Sequence, residues 1–239
     1  MKKNKNITFI FPLYNEKDRI HKFIYFYKWS KKNIRLKTKY IFTVNGSTDN
    51  TYKLLKKIYN KPDIKVIKSK SRKRGDGINK ALKLINNSLI AICAIDNAWD
   101  FYFYTKAINL IENSNFDVVL GSKNLKKSIV HTNIYRKIFS KLSGYYCRIM
   151  FGNVMKYDTQ CVKVFRSNMN FFNNLSSYNY FAETEFYLRA SSEKKKIKHI
   201  PIKVFNDTKG SKVKIKYILE FLKESIDFKL KNFVNVKNN

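Results

Sequence analysis

Apolar positions in the first half of the chain switch repeatedly between strand-like runs and helical spacing. Ile7–Leu13 is an apolar run of the kind a buried parallel strand needs. Lys17–Lys31 places Ile20, Phe23, Ile24 and Tyr27 at helical spacing. Tyr40–Val44 predicts a second strand, followed by a helix carrying Leu54, Leu55 and Ile58 with Asp49 as its cap. Ile64–Ile67 reads as strand, Gly77–Ile85 as helix, Leu89–Ile95 as strand, Tyr102–Glu112 as helix and Val118–Leu120 as strand. This βαβαβαβαβ order predicts an α/β protein with an open, mostly parallel sheet flanked by helices. The second half is less regular. Asn133–Phe151 is a basic amphipathic helix, and a turn leads to Cys161–Phe165. Ala182–Ser192 reads as a helix and Ile197–Phe205 as one strand. Tyr217–Phe233 repeats Ile218, Leu222, Ile226, Leu230 and Phe233 at three-to-four-residue spacing, a final amphipathic helix. No repeat or linker interrupts the pattern, so residues 1–214 form one domain and 215–239 a C-terminal amphipathic helix and tail.

Composition supports a folded core. Of 239 residues 44% are apolar and 15% aromatic, which excludes intrinsic disorder. Only 7 Gly and 3 Pro disfavour a loop-rich chain. The 3 cysteines (Cys93, Cys147 and Cys161) are scattered, with no CxxC; this excludes a disulfide scaffold or a Cys-rich zinc site and suits a reducing compartment. The longest apolar run, Leu89–Ile95, is far below the ~20 residues of a membrane span. The start imitates a signal peptide, but its apolar stretch holds Pro12 and runs into Asn15-Glu16 without a cleavage site. The expectation is a cytoplasmic protein, with any membrane contact peripheral and on the cytosolic face. The net charge of +32 adds attraction to polyanions: nucleic acid, anionic lipid or phosphorylated substrates. No nucleic-acid-binding signature accompanies it, so nucleic acid is not an expected partner.

Ligands of an open α/β sheet sit beyond the carboxyl ends of its strands. Polar clusters follow four of the predicted strands: Tyr14-Asn15-Glu16, Asn45-Gly46-Ser47-Thr48-Asp49, Asp96-Asn97-Ala98-Trp99-Asp100 and Gly121-Ser122-Lys123. Each alone is compatible with ordinary turn and cap chemistry. Four on one edge point to a site.

These clusters carry a resemblance. Phe11-Pro-Leu-Tyr-Asn-Glu16 resembles the opening motif of family 2 inverting glycosyltransferases of the GT-A fold. Asn45-Gly-Ser-Thr-Asp-Asn-Thr51 is similar to their D-D-G-S-T-D-x-T, and Lys73-Arg-Gly-Asp-Gly-Ile-Asn-Lys-Ala-Leu82 to their G-K-G-x-A-x-x-x-A-L. Leu120-Gly-Ser-Lys123, Arg136-Lys-Ile-Phe-Ser140, Asp158-Thr-Gln-Cys-Val-Lys-Val-Phe-Arg166, Glu183-Thr-Glu185, Ile200-Pro-Ile202 and Gly210-Ser-Lys-Val213 follow in order. They resemble the dolichyl-phosphate glucosyl- and mannosyltransferase branch. The resemblance implies transfer of a hexose, with inversion, from a nucleotide sugar (UDP-glucose or GDP-mannose type) to a polyprenyl phosphate. A growing glycan as acceptor, or a weakened descendant that only binds nucleotide sugar, are the alternatives.

The same resemblance assigns residues. Pro12, Tyr14, Asn15, Glu16, Asn45, Asp49, Arg74, Gln160 and Lys163 fall to the donor, with Arg72 and Lys73 beside Arg74 near its phosphates. Val44-Asn45 stands where the family usually has Asp-Asp, and Asp49 is either a donor contact or a helix cap. The family's D-x-D, which holds Mg²⁺ or Mn²⁺ on the pyrophosphate, is here Asp96-Asn97-Ala98. Asp100 lies two positions on, so Asp96 and Asp100 together are the candidate metal ligands; the alternative is that Asp100 caps the next helix. Lys123, Arg136 and Ser140 fall to the acceptor phosphate, the last two spaced to share a helix face. Glu183 and Glu185 match a D-x-E that orients sugar hydroxyls or basic residues.

Overall fold

In the computed structural model, which describes residues 6–86, 88–132, 134–155, 159–168, 175–205 and 215–237, the first apolar run forms β1 (Asn6–Leu13) near the middle of the sheet. Ile7, Phe9, Phe11 and Leu13 enter one buried cluster and Ile10 enters another. A strand covered on both faces has no polar side to show, hence the continuous apolar run. β2 (Lys37–Asn45) and β4 (Leu89–Ile92) flank it in parallel, and β3 (Ile64–Ser69) pairs with β2. β5 (Val118–Ser122) and β8 (Ile197–Pro201) pair in parallel on the far side. Between them and β4 lies β7 (Lys163–Arg166), antiparallel to both neighbours. The order is therefore β3-β2-β1-β4-β7-β5-β8.

A 3-10 turn (Lys17–Lys22), α1 (Phe23–Asn33), α2 (Thr51–Ile58) and α4 (Tyr102–Asn113) cover one face. Aromatic rings fill the space beneath them: Phe9 meets Phe26 edge-on at 4.9 Å and Phe23 meets Phe42 at 4.8 Å. α3 (Arg74–Leu82), α5 (Ile134–Phe151) and α6 (Ala182–Ser192) cover the other face, through Ile78, Cys147 and Phe186 among others. The last helix, α7 (Ile215–Lys237), lies against α5 and the start of α6: Tyr146 Oη is 2.6 Å from Ser225 Oγ, and Phe181 packs on Phe221 and Phe228. All three cysteines are free and buried.

Three features depart from the sequence pattern. The helix expected over Lys17–Lys31 begins as a 3-10 turn, because the Glu16 carbonyl accepts from both Arg19 and Ile20 N–H. The strand expected over Leu89–Ile95 pairs only to Ile92, after which the chain turns at Asn97 with φ +54°. The single strand expected over Ile197–Phe205 divides after Pro201, which has no N–H to donate. Ile202 N–H donates to Ser128 Oγ, and β9 (Lys203–Phe205) leaves the main sheet to pair with β6 (Ile129–His131). β9 also holds the chain beyond β4: Phe205 N–H donates to the Ala98 carbonyl at 2.8 Å, and Asp100 N–H to that of Lys203 at 3.0 Å. The segment expected to carry the metal motif is thereby pinned from outside the main sheet. The Asp158 and Gly210–Val213 motif positions lie outside the described residues.

The start of α3 is pressed onto α6. A Cβ at Gly75 would lie 2.8 Å from the Tyr178 carbonyl oxygen and 2.7 Å from Ala182 Cβ. A backbone carbonyl cannot swing aside as a side chain can, so Gly75→Ala is expected to destabilise the fold by about 1–3 kcal/mol. Urea unfolding should show a lower midpoint at unchanged slope. An unchanged midpoint would mean that α3 can move off α6 freely.

Candidate active site

The carboxyl ends of β1, β2, β3 and β4 meet at one edge, on either side of the point where strand order reverses between β1 and β4. Two loops there are stitched together. Asn15, with φ +51°, is in the left-handed region that Asn tolerates better than most residues. Its N–H donates to Ser47 Oγ at 3.0 Å, and its Oδ1 accepts from Thr48 N–H at 2.9 Å. Glu16 N–H donates to Thr51 Oγ1. Asp49 accepts from Thr51 N–H at 3.0 Å and from Lys17 N–H at 3.2 Å. Burial opposes its charge, but the hydrogen bonds from Thr51 and Lys17 outweigh it and hold the carboxyl below its usual range. Asp49 thus caps α2 and ties it to the β1 loop. Pro12 is held in β1 opposite Thr43. Above this platform the Arg72 guanidinium lies 5.9 Å from the Tyr14 ring centre.

Asn45 sits lower than the resemblance implies. It is buried at the end of β2, its Oδ1 has no hydrogen-bond partner, and its side chain abuts the Gly77 backbone.

The centre of the site is a buried ion triad. Glu183, on the first turn of α6, is 4% exposed. Its Oε2 pairs with Lys163 Nζ, which is fully buried on β7, and its Oε1 accepts from Arg74 Nε at 2.7 Å. Burial disfavours the Glu183 charge, but Lys163 and then Arg74 outweigh it and hold the carboxyl below its usual range. Arg74 is likewise pulled down by burial and pushed up more strongly by Glu183, with smaller contributions from Tyr180 and Asp96. Arg74 keeps 28% of its side chain exposed, and Glu183 sets the orientation of its guanidinium.

Several expected donor and sugar contacts are used internally. Lys163 faces Glu183 inside the core, where a diphosphate has no access. Gln160 Nε2 donates to the Tyr180 carbonyl and to Thr184 Oγ1, both at 2.9 Å. Glu185 is fully buried; it accepts from Ser176 and Ser177 N–H at 2.8 Å each and pairs with Arg189 at 2.8 Å. It fastens the 175–177 loop to α6 and faces no cleft. Lys123, beyond β5, places Nζ 6.0 Å from the Trp99 ring centre. Ser140 is half-buried on α5, and the side chain of Arg136 lies outside the described residues.

The carboxylates after β4 do not make a chelate. Asp96 Oδ1 accepts from Ala98 N–H at 3.2 Å, and its Oδ2 lies 3.9 Å from Arg19 Nη1. Asp100 Oδ1 accepts from Tyr102 N–H at 3.0 Å and so caps α4. No group of three or more His, Cys, Asp or Glu among the described residues could hold a metal ion. The donor set does not fit Mg²⁺ or Mn²⁺: one of two carboxylates serves as a cap, and the other faces guanidinium groups. Arg19, which the motifs did not single out, pairs with Glu16 at 2.8 Å as well as approaching Asp96. Its position three residues after Glu16 on a helical pattern is the signal that would have found it.

Two substitutions separate these roles. Glu183→Ala leaves Lys163 buried and unpaired, and is expected to destabilise the protein by about 3–5 kcal/mol at neutral pH. Because the folded pKa of Glu183 lies below its unfolded 4.5, this contribution is present above that value and is lost as pH falls through the folded pKa. The wild type should therefore lose stability in that acid range more steeply than Glu183→Ala. Asp100→Asn should be silent, since Asn caps as well as Asp, while Asp100→Ala should cost about 1 kcal/mol. Urea titrations across pH check both expectations.

The sequence matches the model of the family described as glycosyl transferase family 2 over residues 8–172. No curated protein matches it. Similar solved structures include glucosyl-3-phosphoglycerate synthase from Mycobacterium tuberculosis with Mn²⁺, UDP and glucosyl-3-phosphoglycerate (TM-score 0.62, 12% identity, 92% of this chain and 80% of that chain covered). The same enzyme with Mn²⁺, UDP-glucose and phosphoglyceric acid gives TM-score 0.63, 12% identity and coverage of 92% and 80%. With Mg²⁺ and UDP the values are 0.60, 12%, 92% and 79%. At such identity the likeness shows the fold: the mostly parallel, helix-flanked sheet of the GT-A type.

Proposed function

We propose, since the chain belongs to glycosyl transferase family 2, that this nucleotide-sugar-dependent glycosyltransferase passes a hexose to a polyprenyl phosphate at the cytosolic face of a membrane. The observation that carries the reading is the outer face of α5. Ile134, Ile138, Leu142, Tyr145 and Ile149 are all exposed there, at 49–64%. At 3.6 residues per turn they fall within about 80° of one another. Exposed Lys137, Lys141 and Arg148 border the same stripe. α7 adds exposed Leu219, Ile226 and Leu230, with Lys223 exposed among them. An apolar stripe edged by cations suits the headgroup boundary of an anionic bilayer, at roughly 1 kcal/mol per basic residue near the surface. No helix among the described residues is long and apolar enough to cross a membrane, so such contact is peripheral.

The acceptor chemistry supports the same reading. A phosphate monoester, with its second pKa at about 6, is largely a dianion at neutral pH and needs no strong base. In this reading Lys123, Arg136 and Ser140 hold it in line with the anomeric carbon. An acceptor oxygen forms the bond to C1 as the C1–O bond to the diphosphate breaks. The electron pair leaves on the β-phosphate, and configuration inverts. One of the similar M. tuberculosis structures contains phosphoglyceric acid, which is also phosphorylated but soluble; that favours a soluble phosphate ester as the second reading.

Radiolabelled UDP-glucose and GDP-mannose, incubated with the protein and either polyprenyl phosphate or 3-phosphoglycerate, should yield label in the lipid extract. Arg136→Ala should raise the KM for the lipid phosphate about 10- to 100-fold and leave that for the donor. The double variant Ile138→Glu, Leu142→Glu should stay in the supernatant of anionic vesicles that sediment the wild type. Label only in phosphoglycerate, or unchanged sedimentation of the variant, would overturn the membrane acceptor.

A further inference from the structure

We propose that Arg19 and Arg74 together take the charge-neutralising role of a divalent cation at the donor diphosphate, so that this chain binds nucleoside diphosphates without metal. The inference rests on the nucleotide-sugar reading of the site. It starts from what surrounds Asp96. Arg19 Nη1 is 3.9 Å from Asp96 Oδ2, and Arg74 is close enough to feel the Asp96 charge, after the stronger pull of Glu183. A divalent cation on Asp96 would sit in the repulsive field of both guanidinium groups. The second carboxylate such an ion would seek is replaced by Ala98, and Asp100 is engaged as a helix cap. The residues that discourage a cation are the ones that attract a diphosphate.

Arg74 is prepared for that task. Glu183 holds Nε, and Lys163 anchors Glu183 from inside the core, so the guanidinium is oriented before any ligand arrives. Arg19 is oriented by Glu16 at 2.8 Å, itself set by the stitched β1 loop. A planar guanidinium offers paired donors that match phosphate oxygens. Fixed positive groups where a leaving group gathers charge stabilise it without reorganisation. The α3 N-terminus does not supply this charge, since Asp76 N–H already donates to the Tyr178 carbonyl.

Titration calorimetry of UDP and of GDP into the full chain, in EDTA and in MnCl₂, tests the proposal. The nucleotide that binds should do so with comparable affinity in both. Arg19→Ala and Arg74→Gln should each weaken that binding about 10- to 100-fold in EDTA. Binding of the corresponding nucleoside, followed by saturation-transfer NMR, should not change. Thermal melts confirm that the variants fold; Arg19→Ala removes a half-buried pair with Glu16 and the approach to Asp96, and Arg74→Gln leaves Lys163 to hold Glu183. Diphosphate binding abolished by EDTA and restored by MnCl₂ would overturn the proposal while leaving the donor reading intact. Binding in EDTA that neither variant weakens would also overturn it. Absence of binding in both buffers would overturn the donor reading and this proposal together.

Discussion

Glu183 is a carboxylate almost without solvent, held between two cations from distant parts of the chain: Lys163 from β7 and Arg74 from the start of α3. Removing three charges from water costs several kcal/mol each, and only close, hydrogen-bonded geometry offsets it. The three elements therefore have little freedom to move relative to one another. α3 cannot slide along α6 without opening the Arg74–Glu183 bond, and β7 cannot shift register without stranding Lys163. Gly75, next to Arg74, allows the approach, since any side chain there would strike the Tyr178 carbonyl. The constraint also reaches the surface, because the outer part of Arg74 is set by the same pair.

Other parts of the edge repeat this economy on a smaller scale. Glu185, two residues on and on the opposite side of α6, spends both oxygens on the 175–177 loop and Arg189. Asn15 and Asp49 bind the β1 and β2 loops into one platform. β9 pins residues 98–100. These loops are thus tied to other segments by side-chain or backbone hydrogen bonds, although little of the rim is regular structure.

The first half of the fold was legible because its strands are buried on both faces and its helices on one; period and burial then coincide, as in Ile7–Leu13 and Tyr102–Asn113. The division of Ile197–Phe205 was not legible from apolar pattern, since β8 and β9 both carry apolar residues and what separates them is hydrogen bonding across distant segments. The direction of β7 is likewise a matter of topology, which residue pattern does not encode. At the site, the strand pattern located the edge and the family resemblance named Arg74, Glu183 and Lys163, but neither could say that they bind one another. Charge at a motif position reads the same whether it faces a ligand or a buried partner; only the fold tells Lys163 from Lys123. Arg19 escaped notice because its value depends on Asp96, a residue 77 positions away in sequence but 3.9 Å away in space.

The engagement of the acids bears on the acceptor. The chain has only 17 Asp and Glu against 49 Lys and Arg. Among the described residues at this edge, Glu16 pairs with Arg19, Asp49 and Asp100 serve as helix caps, Asp76 is held by Ser69 and Lys80, Glu183 by Lys163 and Arg74, and Glu185 by Arg189 and loop backbone. Asp96 Oδ2 lies 3.9 Å from Arg19 Nη1, and its Oδ1 accepts from Ala98 N–H. A sugar hydroxyl would need a free carboxylate to remove its proton as it attacks. A phosphate brings its own negative charge and asks only for cations to place it. An excess of Lys and Arg, with most of the described carboxylates at this edge engaged by the protein, is what the proposed anionic acceptor calls for. In the proposed reaction the same cations would face two anionic products, the nucleoside diphosphate and the glycosyl phosphate, and too tight a hold on either would slow release.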